Sequence, residues 1–152
     1  MRTFLISFLT LVSIHFISAK PINPIIGDQS YFMKFGEMPN AQTDDYERIL
    51  AHVSYAEFLL RTADVSAMSE EMLSKRKKTL DLLHDYWKRG EFPRNDDYTN
   101  ERRPCFIDNN GTICAVGYLV EQTAGRELAE LINERFMYNE ILEMNDPAVL
   151  EW

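Results

Sequence analysis

From Tyr46 onward, apolar residues return at intervals of three and four, through Ile49, Leu50, Val53, Ala56, Leu60 and Ala63. That is the spacing of one buried helical face. Asp44 and Glu47 stand three apart ahead of this run as a capping pair, and acidic residues favour a helix start, so a first helix is predicted over 44–62. A second opens near Ser69, has Glu70 and Glu71 in its first turn, and stops at Gly90, which can take the left-handed cap. Met72, Leu73, Leu80, Leu83, Trp87 and the neighbouring Tyr86 form its apolar side, while Lys75, Arg76, Lys77 and Lys78 face water. With only residues 64–68 between them, the two helices are predicted to pack as an antiparallel hairpin.

The pattern changes at Cys105. Two short apolar runs flank Asn110-Gly111 within 105–114, and that dipeptide tolerates the positive φ angles of a type I′ turn, so a β-hairpin is predicted there. The next stretch, 115–120, is apolar on most sides and reads as a short buried helix in which Gly117 marks close packing; the alternative is a strand continued to Val116. Thr123 is the predicted cap of a helix over 124–136, with Leu128, Leu131, Ile132 and Phe136 inward, and Asn139 and Asp146-Pro147 look like two further helix starts. Residues 91–104 are polar, with Pro93 and the run Arg94, Asn95, Asp96, Asp97, and read as a surface loop that also carries Tyr98, Arg102 and Arg103. The predicted fold is mainly α: a small single-domain helical bundle over 43–152 with one short β-hairpin at 105–114.

Residues 1–19 carry one charge, Arg2, then an apolar core from Phe4 to Ile17, then Ile-Ser-Ala before Lys20. This is the layout of a secretory signal peptide cleaved after Ala19. A retained membrane anchor is the alternative, but the apolar stretch is shorter than the roughly 20 residues that span a bilayer. Residues 20–42 then form an amino-terminal arm in which Pro21, Pro24, Pro39, Gly27 and Gly36 disfavour a continuous helix and point to extended or turning backbone. Its Ile25, Ile26, Tyr31, Phe32, Met33 and Phe35 are too apolar for a free linker, so part of it is expected to pack on the domain. A propeptide is disfavoured because Lys20 and Lys34 stand alone rather than as a dibasic site.

Cleavage would leave 133 of the 152 residues, enough for one domain with a core built from a 45% hydrophobic composition. The net charge of −8 becomes −9 when the leader takes Arg2 with it. Such a surface repels phosphate backbones and anionic lipid, which argues against nucleic acid and acidic membranes as partners and leaves basic proteins or cations. A soluble, extracellular monomer is the resulting expectation.

Export also colours the chemistry. Cys105 and Cys114 are the two cysteines of the chain, and in an oxidising compartment they are predicted to pair as a disulfide that pins the hairpin, worth about 2 to 3 kcal/mol on a chain-entropy argument. The competing reading makes Cys114 a nucleophile at a strand-to-helix junction, where helix amides activate a thiolate. Asn110-Gly111-Thr112 fits the N-glycosylation sequon, which makes Asn110 a candidate glycosylation site. Asp108, Asn109 and Asn110 lack the spacing and terminal Glu of a calcium loop, and neither His52 nor His84 has a partner at ligand spacing beyond Asp81, so no metal site and no cofactor is assigned. Both histidines read as surface or boundary residues. Carboxylates are plentiful, among them Glu57, Glu70, Glu71, Asp96, Asp97 and Glu121, but abundance carries no geometry. The function expected is a secreted, non-enzymatic binding or effector protein; the alternative is a small secreted hydrolase that uses carboxylate or histidine acid-base residues, with the catalytic residues unassigned.

Overall fold

Six α-helices and one 3₁₀ turn make up the regular structure in the computed structural model, which describes residues 28–98 and 102–152. The leader at 1–19 and the first part of the arm lie outside the described residues. Within the remainder of the arm, α1 (Gln29–Phe35) is a short helix of seven residues, started by Asp28, whose carbonyl accepts from Tyr31 and Phe32, and closed by Gly36 at φ 77°. The glycines and prolines limit this helix rather than prevent it. Tyr31 and Ser30 face inward and α1 packs on α2.

The long helices begin and end where local chemistry placed them. Helix α2 (Asp45–Thr62) is capped by Asp44, whose Oδ1 accepts from the Tyr46 N–H at 2.9 Å. Ser69 caps α3 (Glu70–Arg89) through the Met72 N–H, and Gly90 ends it at φ 69°. A Cβ at Gly90 would also stand 2.5 Å from the Tyr46 hydroxyl, so glycine serves both the backbone and the packing there. Helix α4 (Ala115–Ala124) runs further than the sequence suggested. Thr123 lies inside it, its hydroxyl donating to the Leu119 carbonyl, and the break falls at Gly125 at φ 98°, so α5 (Arg126–Phe136) starts without the predicted Thr123 cap. The chain closes with the 3₁₀ turn Ile141–Glu143 and α6 (Pro147–Glu151), which Asp146 caps.

Two apolar clusters hold the helices together. Val53, Leu80, Leu83 and Tyr86 form one between α2 and α3, reached by Tyr118 and Leu119 of α4. Phe106, Ile107, Val120, Ala129, Ile132 and Met144 form the other between α4, α5 and the C-terminal turns. Helix α4 thus feeds both clusters from successive positions. Among the described residues no helix is long and apolar enough to cross a membrane.

Of the predicted β-hairpin a single bridge is present, and Cys105 and Cys114 are not joined. No sheet forms among the described residues; 105–114 makes a single isolated antiparallel bridge between Ile107 and Ile113. The Asp108 N–H donates to the Thr112 carbonyl and the Cys114 N–H to the Phe106 carbonyl, which sets Phe106, not Cys105, opposite Cys114. Cys105 is therefore one residue out of register with Cys114 across the bridge. Cys105 and Cys114 are free thiols.

Candidate functional site

A cleft of about 570 Å³ opens between α2 and α3. Its floor is Glu57, only 5% exposed, one turn beyond Val53 on the side of α2 that faces α3. His84 and Trp87 stand three apart on α3 and therefore project together toward it. The Trp87 indole Nε1–H donates to Glu57 Oε2, and the His84 Nδ1 lies 3.1 Å from the same oxygen. On the other side, Arg61 donates from Nε to Glu57 Oε1 at 2.6 Å and from Nη2 to Asp81 Oδ1 at 2.9 Å, spanning the helices. Burial by itself would push the Glu57 carboxyl up. The hydrogen bonds from Trp87, Arg61 and His84 outweigh it and hold the group below its ordinary value, so the floor of the cleft is anionic.

The walls are mixed. Phe58 and Trp87 supply apolar surface, Asp81 and Asp85 line the rim, and the His84 side chain is 45% exposed with its ring edge-on to Trp87 at 4.9 Å. Ser54 also lines the cleft, but its hydroxyl donates to the Leu50 and Ala51 carbonyls at 2.8 and 3.1 Å. That back-bonding occupies the proton a nucleophilic serine would pass to a base. What the cleft presents is three carboxylates, Glu57, Asp81 and Asp85, the first two paired with the single Arg61 guanidinium, beside aromatic surface and one carboxylate-oriented imidazole.

The turn at 105–114 is organised by Asp108 rather than by sulfur. Its buried carboxylate accepts from the Asn110 and Thr112 N–H groups at 2.9 Å and from the Arg94 N–H at 3.1 Å. Burial pushes this carboxyl up, and the backbone donors from Arg94, Thr112 and Asn110 more than reverse that, leaving it below its ordinary value. Cys114 does sit at a helix start: it is the N-cap of α4, and its Sγ accepts from the Gly117 N–H at 3.3 Å. Burial nevertheless pushes the thiol up to about 11, and the amide donors only partly offset it. Cys105 is pushed up to about 12 by burial and then by Asp108. Neither is an activated nucleophile. Asn110 is exposed on the turn, at the edge of a second, polar groove of about 540 Å³ that Tyr118, Gln122 and Arg126 also line.

The remaining candidates scatter. Glu70 and Glu71 lie in the exposed first turn of α3, Glu121 pairs with Arg126 at 2.9 Å, Asp96 is exposed, and Asp97 accepts from the Tyr138 hydroxyl. No group of three or more His, Cys, Asp or Glu suited to a metal ion occurs among the described residues. His52 is a partly buried boundary residue, with its Nδ1 lacking a hydrogen-bond partner. Sequence reasoning named Glu57, His84 and Trp87 separately and missed that they meet. The available signal was the Glu57 and Arg61 pair at helical spacing, set on the flank of the apolar stripe.

Compared with known proteins, the chain matches no family model, no curated protein and no solved structure. The site is therefore read from its own geometry.

Proposed function

We propose that the chain is exported and acts outside the cell as a non-enzymatic binding protein, whose α2–α3 cleft receives a positively charged group from a basic partner. The observation that carries this reading is Glu57: a buried carboxylate kept anionic by three donors, beneath a rim that adds Asp81 and Asp85. Trp87 and Phe58 beside that charge suit an ammonium or guanidinium group, which gains from an aromatic face as well as from a carboxylate. The overall charge of −8 favours the same class of partner by long-range attraction. Export is supported by the leader pattern at 1–19.

The test uses Trp87 as a reporter, because its indole is bonded to Glu57. Titration of the purified protein with an arginine-rich peptide is expected to shift the tryptophan emission saturably, and a matched acidic peptide to leave it unchanged. Asp85→Ala should weaken the response. A response indifferent to peptide charge overturns the reading.

One observation favours a second reading, a hydrolase. The His84 Nδ1 to Glu57 contact is the arrangement that orients an imidazole as a general base. If the captured partner is cut over time, and His84→Gln stops the cutting while leaving capture intact, the hydrolase replaces the binding protein.

A further inference from the structure

Away from the cleft, on the opposite flank of α2, charge is buried where helix α1 docks. Arg48 Nη2 lies 2.8 Å from Asp28 Oδ2, with both side chains almost fully shielded from water. Asp28 is the residue that starts α1, so this ion pair ties α1 to α2. One turn beyond Arg48 on α2 is His52, whose Nδ1 is buried without a hydrogen-bond partner. Arg102 approaches from the segment ahead of the Asp108 turn and pairs with Asp45 Oδ1 at 2.8 Å, an oxygen that also faces Arg48 Nη1 at 3.5 Å. Among the described residues, the charged groups that act on His52 are Asp28 from α1 and Arg102 from the loop, and these pair in turn with Arg48 and Asp45 of α2.

We propose that α1 is held on α2 by an acid-labile latch, in which the neutral imidazole of His52, stored beside the buried Asp28 to Arg48 pair, releases α1 when it takes up a proton. The Nδ1 of this partly buried imidazole has no partner that would stabilise a cation, and burial withholds part of the water that would solvate one, which together outweigh the attraction of Asp28. Burial accordingly lowers its pKa from 6.5, with Asp28 opposing and Arg102 adding to the effect. Protonation would place a third positive group beside two arginines that share the carboxylates of Asp28 and Asp45. The least disruptive route to water is removal of α1. That helix has seven residues, packs chiefly on α2, and supplies no residue to either apolar cluster. It can leave as a local unit with both cores intact.

The sign follows from linkage. In the released state His52 is solvated and titrates near 6.5, whereas in the docked state it resists the proton, so the released state binds more protons below that pH and gains population as pH falls. With one coupled proton, release grows as pH falls from 7.5 to 5.5 and by at most about tenfold.

Amide hydrogen exchange on the full chain tests this, read as protection factors so that intrinsic pH effects cancel. The amides of α1 are expected to lose protection by up to about tenfold between pH 7.5 and 5.5, while those of α3 and α5 hold theirs. His52→Phe should make α1 protection independent of pH, and His52→Gln serves if the phenylalanine variant does not fold. Asp28→Asn should release α1 already at pH 7.5. The latch is overturned by α1 protection that does not change in the native chain, by an equal loss in the His52 variants, by α1 remaining protected in Asp28→Asn, or by core protection falling in parallel with α1.

Discussion

Glu57 and Trp87 are thirty residues apart in the chain and joined by a hydrogen bond from the indole Nε1 to the carboxylate Oε2. That bond, with those from Arg61 and His84, makes a buried anion the pin between α2 and α3. Glu57→Gln keeps the shape but puts an NH₂ group where one set of donors now points. A buried charge-assisted network broken in this way costs about 2 to 3 kcal/mol. Urea denaturation should show the midpoint falling without a change in slope, and an unchanged midpoint would mean that the carboxylate does not hold the two helices together.

Asp108 plays the same part for the turn at 105–114. Asparagine in its place retains one acceptor oxygen and sets a donor against either the Arg94 N–H or the pair from Asn110 and Thr112. Asp108→Asn is expected to destabilise by about 2 kcal/mol, nearly as much as Asp108→Ala, because an unsatisfied amide remains in either case. Thermal unfolding of the two variants side by side checks this, and a neutral Asp108→Asn would show that hydrogen bonding at Asp108 is dispensable.

Both carboxylates also set the acid limit of the fold. Each has a folded-state pKa below its ordinary value, 4.5 for Glu57 and 3.8 for Asp108, so the unfolded chain binds more protons as pH falls into that range. Their stabilisation is complete above those ordinary values and drains away as pH drops through the lower, folded ones. Melting temperature plotted against pH should fall steeply below about pH 4.5, and the fall should be shallower in Glu57→Gln and in Asp108→Asn. Identical slopes in all three proteins would place the acid sensitivity elsewhere.

The parts of this structure that could be read in the sequence are those fixed within a turn of helix. Asp44, Ser69 and Gly90 cap helices because the groups they satisfy lie two or three residues away. What depends on longer range was not legible. The apolar stripe of α2 predicts Tyr46 and Leu60 inward, yet both are more than 40% exposed, because α2 buries Arg48 against α1 and Glu57 against α3. Polar residues at those positions look solvated until their partners, 20 to 30 residues distant, are in place. The pairing of Ile107 with Ile113 is one residue off the register that a two-residue Asn110-Gly111 turn sets, and periodicity in so short a run does not distinguish odd from even loops.

Gly117 gives a packing prediction. It lies in α4, where an added Cβ would stand 2.6 Å from Ile113 Cγ1 and 3.0 Å from Phe106 Cε1. Ile113 Cγ1 is close to the backbone and Phe106 is in the core, so neither yields readily. Gly117→Ala should destabilise by about 1 to 3 kcal/mol despite the better helix propensity of alanine. Removing the clashing atom in the double variant Gly117→Ala, Ile113→Ala should cost less than the two single variants summed, and a stabilised Gly117→Ala would show that α4 can shift freely.

The two thiols connect the fold to the proposed export. An oxidising compartment favours a disulfide only where thiolate is available and the sulfurs can meet. Here burial pushes Cys105 up to about 12 and Cys114 up to about 11, and the bridge between Ile107 and Ile113 sets Phe106 rather than Cys105 opposite Cys114. Both thiols should therefore survive secretion. Protein collected from the medium and alkylated at neutral pH is expected to react slowly while folded, and to take up two labels once denatured without reductant. A native mass lower by two hydrogens, with no labelling after denaturation, would show that Cys105 and Cys114 have paired and that the offset register at 105–114 is not the one adopted outside the cell.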